Sequence, residues 1–112
     1  MNIWLVSWQT DAGSNTHDYH ALLKGADCAL AEAACERMGA TWWPDEQPVS
    51  SEGCYWQFTR GQVWLKSLFL LDGQQGKTLS DLGVFDEWTI SGTPDAPVIC
   101  DNGGSRWEDH RN

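Results

Sequence analysis

Positive charge is scarce in this chain. Seven Lys and Arg stand against 16 Asp and Glu in 112 residues, a net charge of −9. A surface so acidic is repelled by phosphate, which argues against direct binding to DNA, RNA or an anionic membrane and favours a partner with a basic surface. Long apolar runs are missing as well: none exceeds four residues, as at 68–71, where a membrane span needs about 20. The chain runs from Met1 straight into a strand with no basic n-region, h-region or small-residue cleavage site, so the sequence predicts no signal peptide and a cytoplasmic setting. Cysteine is present at four positions, but with no C-x-x-C and no close Cys–His pair, which leaves no structural zinc pattern. In a reducing compartment the four are expected as thiols. Cys28 and Cys35, seven apart on a predicted helix, would stand about 10 Å from each other, too far for a disulfide.

Tyr and Phe are few, two and three, whereas Trp occurs eight times. A core that needed only volume could use Phe or Leu; Trp adds a donor for a wet edge and is enriched at protein–protein hot spots. For any one Trp, core filling is the better expectation. The acids concentrate in two regions, six against Arg37 over 26–59 and seven against Arg106 and Arg111 over 81–112. They suit a basic partner, and they also keep a Trp-rich domain in solution.

The most organised stretch is Ile3-Trp4-Leu5-Val6-Ser7-Trp8. It is β-branched and aromatic with no charge or breaker, and alternation puts Trp4, Val6 and Trp8 on one face and Ile3, Leu5 and Ser7 on the other. Such a strand belongs in the middle of a sheet covered on both faces. A polar turn over 11–16 leads to a return strand over 17–24. A helix over 27–38 follows, N-capped by Asp27 and stopped by Gly39, with a mostly small stripe of Cys28, Leu30, Ala31, Ala34, Cys35 and Met38. Residues 45–53 read as an acidic loop. Strands are expected at 55–60 and 63–71 around a turn at Gly61-Gln62, a loop at 72–77, one helical turn at 78–82, and strands at 84–90 and 98–100. The expected fold is α+β: an antiparallel sheet of about five or six strands with one main helix (ββα followed by β-strands), a single domain over 1–100 with a flexible tail over 101–112.

Few residue constellations carry chemistry. Gly73-Gln74-Gln75-Gly76-Lys77-Thr78 resembles part of a phosphate loop, but Leu71 stands where the motif needs its first glycine. His17 and His20 fall on opposite faces of a strand because their separation is odd. Asp45-Glu46 lies in a loop, and Asp86-Glu87 are neighbours on a strand that cannot both face one substrate, so neither makes an acid–base pair. Cys54 and Cys100 are the candidate thiol nucleophiles, without a convergent base. No catalytic residue, cofactor or metal site is expected. The remaining candidate is a surface: Trp42 and Trp43 beside Asp45 and Glu46, with Asp86 and Glu87 as further acids, docking on a partner's apolar pocket with a rim for Lys or Arg.

The opening Met-x-Ile-Trp-Leu-Val, a polar turn, a return strand and the Ala- and Glu-rich helix over 27–38 resembles small uncharacterised proteins of phages and prophages. The resemblance covers about the first 40 residues and implies a mobile-element origin and a ββα start. The reading that follows is a small acidic interaction protein that binds and modulates or inhibits a host protein. The alternatives are an immunity protein that neutralises a cognate toxin, and a small-ligand-binding domain or enzyme with a Trp-lined pocket using Cys54, His17 or His20. An exposed edge strand would also admit a homodimer.

Overall fold

The first strand does lie at the centre. In the computed structural model, which describes residues 1–110, β1 (Asn2–Ala12) and β2 (Asn15–Gly25) form a long antiparallel hairpin turned at Gly13, whose φ of 67° suits a residue without a Cβ. The chain continues through α1 (Cys28–Ala40), β3 (Ser50–Glu52), β4 (Tyr55–Gln57), β5 (Gln62–Leu70), α2 (Gly73–Leu82), β6 (Asp86–Thr93), β7 (Ala96–Cys100) and α3 (Trp107–His110). One sheet contains all seven strands in the order β3-β4-β5-β1-β2-β6-β7.

The sheet is mixed rather than antiparallel: β2 and β6 run parallel, from Ala21↔Asp86 to Lys24↔Thr89. The parallel pair requires a crossover, and α2 supplies it between β5 and β6. The expected one main helix with a helical turn at 78–82 and five or six strands is therefore corrected to three helices and seven strands among the described residues, the turn at 78–82 being the second half of α2. β3 occupies part of the stretch expected as an acidic loop, and 73–77 belongs to α2 instead of a loop, with Asp72 as its N-cap. The signal for α2 was in the sequence. Asp72 accepts from Gln75 N (2.7 Å) while the Gln75 side chain accepts from Asp72 N (3.0 Å), and Gly83 ends the helix at φ 66°. Its glycines hid it. Gly76 lies where the helix crosses close to β1, and a Cβ there would stand 3.0 Å from Ile3 Cδ1, tight enough that the Ile3 side chain would have to give.

The two faces of β1 meet different cover. Trp4, Val6 and Trp8 are buried together with Leu30, Ala31, Ala34, Cys35 and Met38 of α1. The small α1 stripe lets the helix approach a sheet face built of tryptophans. Asp27 caps the helix, accepting from Leu30 N at 2.9 Å. Gly39 does not end it: the helix continues to Ala40, and Gly39 lies inside it against the Trp56 ring, where a Cβ would meet the ring at 2.5 Å. On the opposite face, α2 crosses β1 at Ile3, and Leu22, the partner of Leu5, is fully buried.

Six of the eight tryptophans are core residues: Trp4, Trp8, Trp42, Trp56, Trp88 and Trp107. Five form a continuous chain of ring contacts, Trp56–Trp8–Trp42–Trp107–Trp88, with centroid separations of 5.8, 5.1, 5.3 and 5.2 Å. Trp107 belongs to the stretch expected as a flexible tail. It is fully buried, its Nε1 donates to Thr41 Oγ1 (3.1 Å), and Arg106 forms a bridge to Cys100. Residues 101–110 thus close over the core; the expected tail's last two positions, 111–112, lie outside the described residues.

Candidate functional site

The residues singled out as a docking surface are engaged within the fold. Trp42 is 4% exposed and its ring meets Trp8, Trp107 and the edge of Tyr19. It is a core residue, which corrects its reading as an anchor. Trp43 is half-buried, edge-on to Phe58 (5.0 Å), with the Arg60 guanidinium 5.6 Å from its ring centroid. Asp45 and Glu46 both bind Arg60, and Glu46 Oε1 also accepts from Thr59 N (2.9 Å) and Oγ1 (2.8 Å). Both carboxyls are held below their ordinary range, Asp45 first by its hydrogen bond from Arg60 and Glu46 first by that from Thr59. Together they clasp the loop after α1 to the β4–β5 turn. Asp86 accepts from Tyr19 OH (2.8 Å), and Tyr19 OH accepts from Trp88 Nε1 (3.0 Å). Glu87 pairs with Lys24 (2.5 Å) and accepts from Ser80 (3.0 Å). Acids that read as a rim for a basic partner are spent on internal partners.

The histidines sit as alternation required. His17 pairs with Thr10 and His20 with Ser7, on opposite faces, and both are exposed. His20 Nδ1 and Ser7 Oγ share a hydrogen bond of 2.8 Å. Among the described residues no group of three or more His, Cys, Asp or Glu is placed to hold a metal ion. All four cysteines are free thiols.

The concave feature of this molecule lies elsewhere, between the first three turns of α1 and the end of β5. It is a cleft of about 580 Å³ with Trp4, Trp56, Leu65, Leu68 and Leu70 as its apolar floor. Cys28, Glu32, Cys35 and Glu36 line the α1 side, Cys54 the β3–β4 turn, and Lys66 the β5 side. Cys28 is exposed, contrary to its expected place in the buried stripe; its thiol donates to Glu32 Oε1 (3.4 Å), which pushes its pKa up. Burial pushes the Cys35 thiol up to about 12. Neither is an activated nucleophile.

A β-bulge shapes the cleft. Trp8 pairs with Leu65 but Ser7 with Ser67, so Lys66 is an extra residue on β5. A bulge breaks strict alternation and re-aims side chains. Here Leu65, Lys66, Ser67 and Leu68 all line one cavity, which a regular strand could not do. The sequence does carry a sign of this: Val63 and Leu65 are two apart but Leu65 and Leu68 are three, a slip in the apolar period at the bulge, whereas Glu32 and Glu36 read as the solvent face of a helix.

No helix of the described residues is long and apolar enough to cross a membrane. Comparisons with protein families, with curated proteins and with solved structures found no match.

Proposed function

We propose that this protein is a small acidic interaction domain, of the phage or prophage type its first 40 residues resemble, that modulates a host protein by holding part of it in the cleft between α1 and β5. One observation carries the reading: an open apolar floor bordered by Glu32 and Glu36. Every other cluster of aromatic and acidic side chains described above is occupied internally. Neither of these two glutamates belongs to any of the ion pairs among the described residues, namely Lys24–Glu87, Arg37–Glu108, Arg60–Asp45, Arg60–Glu46 and Lys77–Asp81. Desolvated apolar centres with a charged rim are the usual anatomy of a docking patch.

A second reading has its own support. The volume of about 580 Å³ lies within the range of small-molecule sites, and a compact apolar ligand would occupy the same floor.

Cys54, at the cleft and exposed, gives the test. A photo-crosslinker carried on Cys54, in a Cys28→Ser, Cys100→Ser background, should trap one discrete protein in stoichiometric yield. Leu68→Asp, which puts a charge on the cleft floor, should abolish the adduct. An adduct indifferent to Leu68→Asp means that the cleft is not the docking site, and a small molecule in place of a protein supports the second reading.

A further inference from the structure

β5 is longer than the strand that covers it. Its nine residues pair with β1 along most of their length, but on the other side β4 pairs only with Gln62, Val63 and Trp64, through Gln57, Trp56 and Tyr55. The last bond to that side runs from Leu65 N to Cys54 O (2.8 Å). Among the described residues no strand pairs with 66–70 on the side away from β1. Leu71 N donates to Ile3 O (2.9 Å), so alternation along the ladder turns the N–H and C=O of Leu68 and Leu70 outward. Unpaired edge groups of this kind are a template for another strand, and proteins ordinarily blunt them. The other edges are blunted: β3 has three residues, and the end of β7 is bridged by Arg106. On the open part of β5 only the bulge at Lys66 does so, at one end. Beyond it Phe69 and Leu70 are 57% and 55% exposed.

We infer that the partner's segment enters as an additional β-strand on the 66–70 edge of β5, an extended stretch that alternates apolar residues with Lys or Arg. This rests on the docking reading of the cleft above. A strand added to this edge sends alternate side chains to the two sheet faces. Those on one face lie beside exposed Phe69. Those on the other enter the cleft, where a Lys or Arg stem covers Leu68, Leu70 and Trp4 and its charged head reaches Glu32 or Glu36. Main-chain bonds to Leu68 and Leu70 supply affinity, and the alternate pockets supply specificity. A second copy of this chain is the poorer occupant, because its own net charge of −9 would meet the same acidic rim. The basic partner is attracted by that rim.

The probe is an acetylated, amidated (Lys-Val)3 peptide, labelled for anisotropy, with (Glu-Val)3 as its counterpart. (Lys-Val)3 should bind and (Glu-Val)3 should not. N-methylation of all its Lys amides and of all its Val amides gives two versions that block opposite edges of the peptide. One should lose affinity by about tenfold or more and the other should keep it, as loss of shared edge bonds dictates. Glu32→Gln with Glu36→Gln, both on the exposed face of α1, should weaken (Lys-Val)3 about tenfold and flatten its salt dependence. Equal binding of both N-methylated peptides, equal binding of (Glu-Val)3, or no binding up to about 1 mM overturns the inference. So does a stable dimer in sedimentation that (Lys-Val)3 cannot dissociate. If the Cys54 adduct depends on Leu68 while N-methylation has no effect, the docking cleft stands and strand addition fails.

Discussion

At the scale of single residues, the tryptophans divide by what their rings touch, and adjacent positions differ. Trp42 is 4% exposed and meets three other aromatic rings. Trp43 is half-buried and meets Phe58 and Arg60. Truncating a buried Trp loses both its transfer free energy and the cavity it leaves, so Trp42→Ala should cost about 3–5 kcal/mol. Trp43→Ala should cost only about 1–2 kcal/mol, since part of its surface is already in water. Urea midpoints of the two variants measure the contrast. Equal and small losses would return Trp42 to the surface. Its neighbours in sequence explain why it reads as an anchor: Pro44, Asp45 and Glu46 mark a polar loop, and nothing local reveals that Trp107, 65 residues on, closes over it.

At the scale of elements, the strongly patterned ones were legible. β1 follows from an uncharged β-branched and aromatic run, and α1 from Asp27 and the alanine stripe. What escaped was set by contacts distant in sequence. Gly39 reads as a stop signal because a glycine after a helical run usually is one. Here it is inside α1 for a packing reason, with Trp56 from β4 pressed against it. Gly73 and Gly76 likewise suggest a loop, whereas Gly76 lets α2 pass over Ile3. The pairing of β2 with β6 joins strands that no local pattern connects, and the bulge at Lys66 shows in the sequence only as a slip of the apolar spacing from two to three between Leu65 and Leu68. The Gly39 argument has a definite sign. Gly→Ala in a helix interior ordinarily gains about 1 kcal/mol, but a Cβ 2.5 Å from a buried indole forces a rearrangement that costs about 1–3 kcal/mol. Gly39→Ala should therefore unfold at lower denaturant than the unmodified chain. A rise in the midpoint would show that Trp56 is free to move, and with it the floor of the cleft.

At the scale of the whole molecule, the sheet is assembled from both ends of the chain around one hairpin. β1 joins β5 on one side and β2 joins β6 on the other, and the aromatic chain from Trp56 to Trp88 runs across the core beneath them. The last described element is part of that chain. Trp107 fills the place between Trp42 and Trp88, donates to Thr41, and its neighbour Glu108 pairs with Arg37 of α1 (2.6 Å). A chain ended after Cys100 loses all of these at once. The Trp107 cavity alone should cost about 3–5 kcal/mol, a large share of the roughly 5–15 kcal/mol that holds a domain of this kind together. Such a truncation should be partly unfolded at room temperature, with a broadened, blue-shift-poor Trp emission. Trp107→Ala in the full chain should reproduce most of the loss, because Arg37–Glu108 is an exposed ion pair and contributes little. If the truncated chain instead keeps the urea midpoint of the full one, residues 101–110 add nothing to the core. The core would then have to close over Trp42 and Trp88 without Trp107.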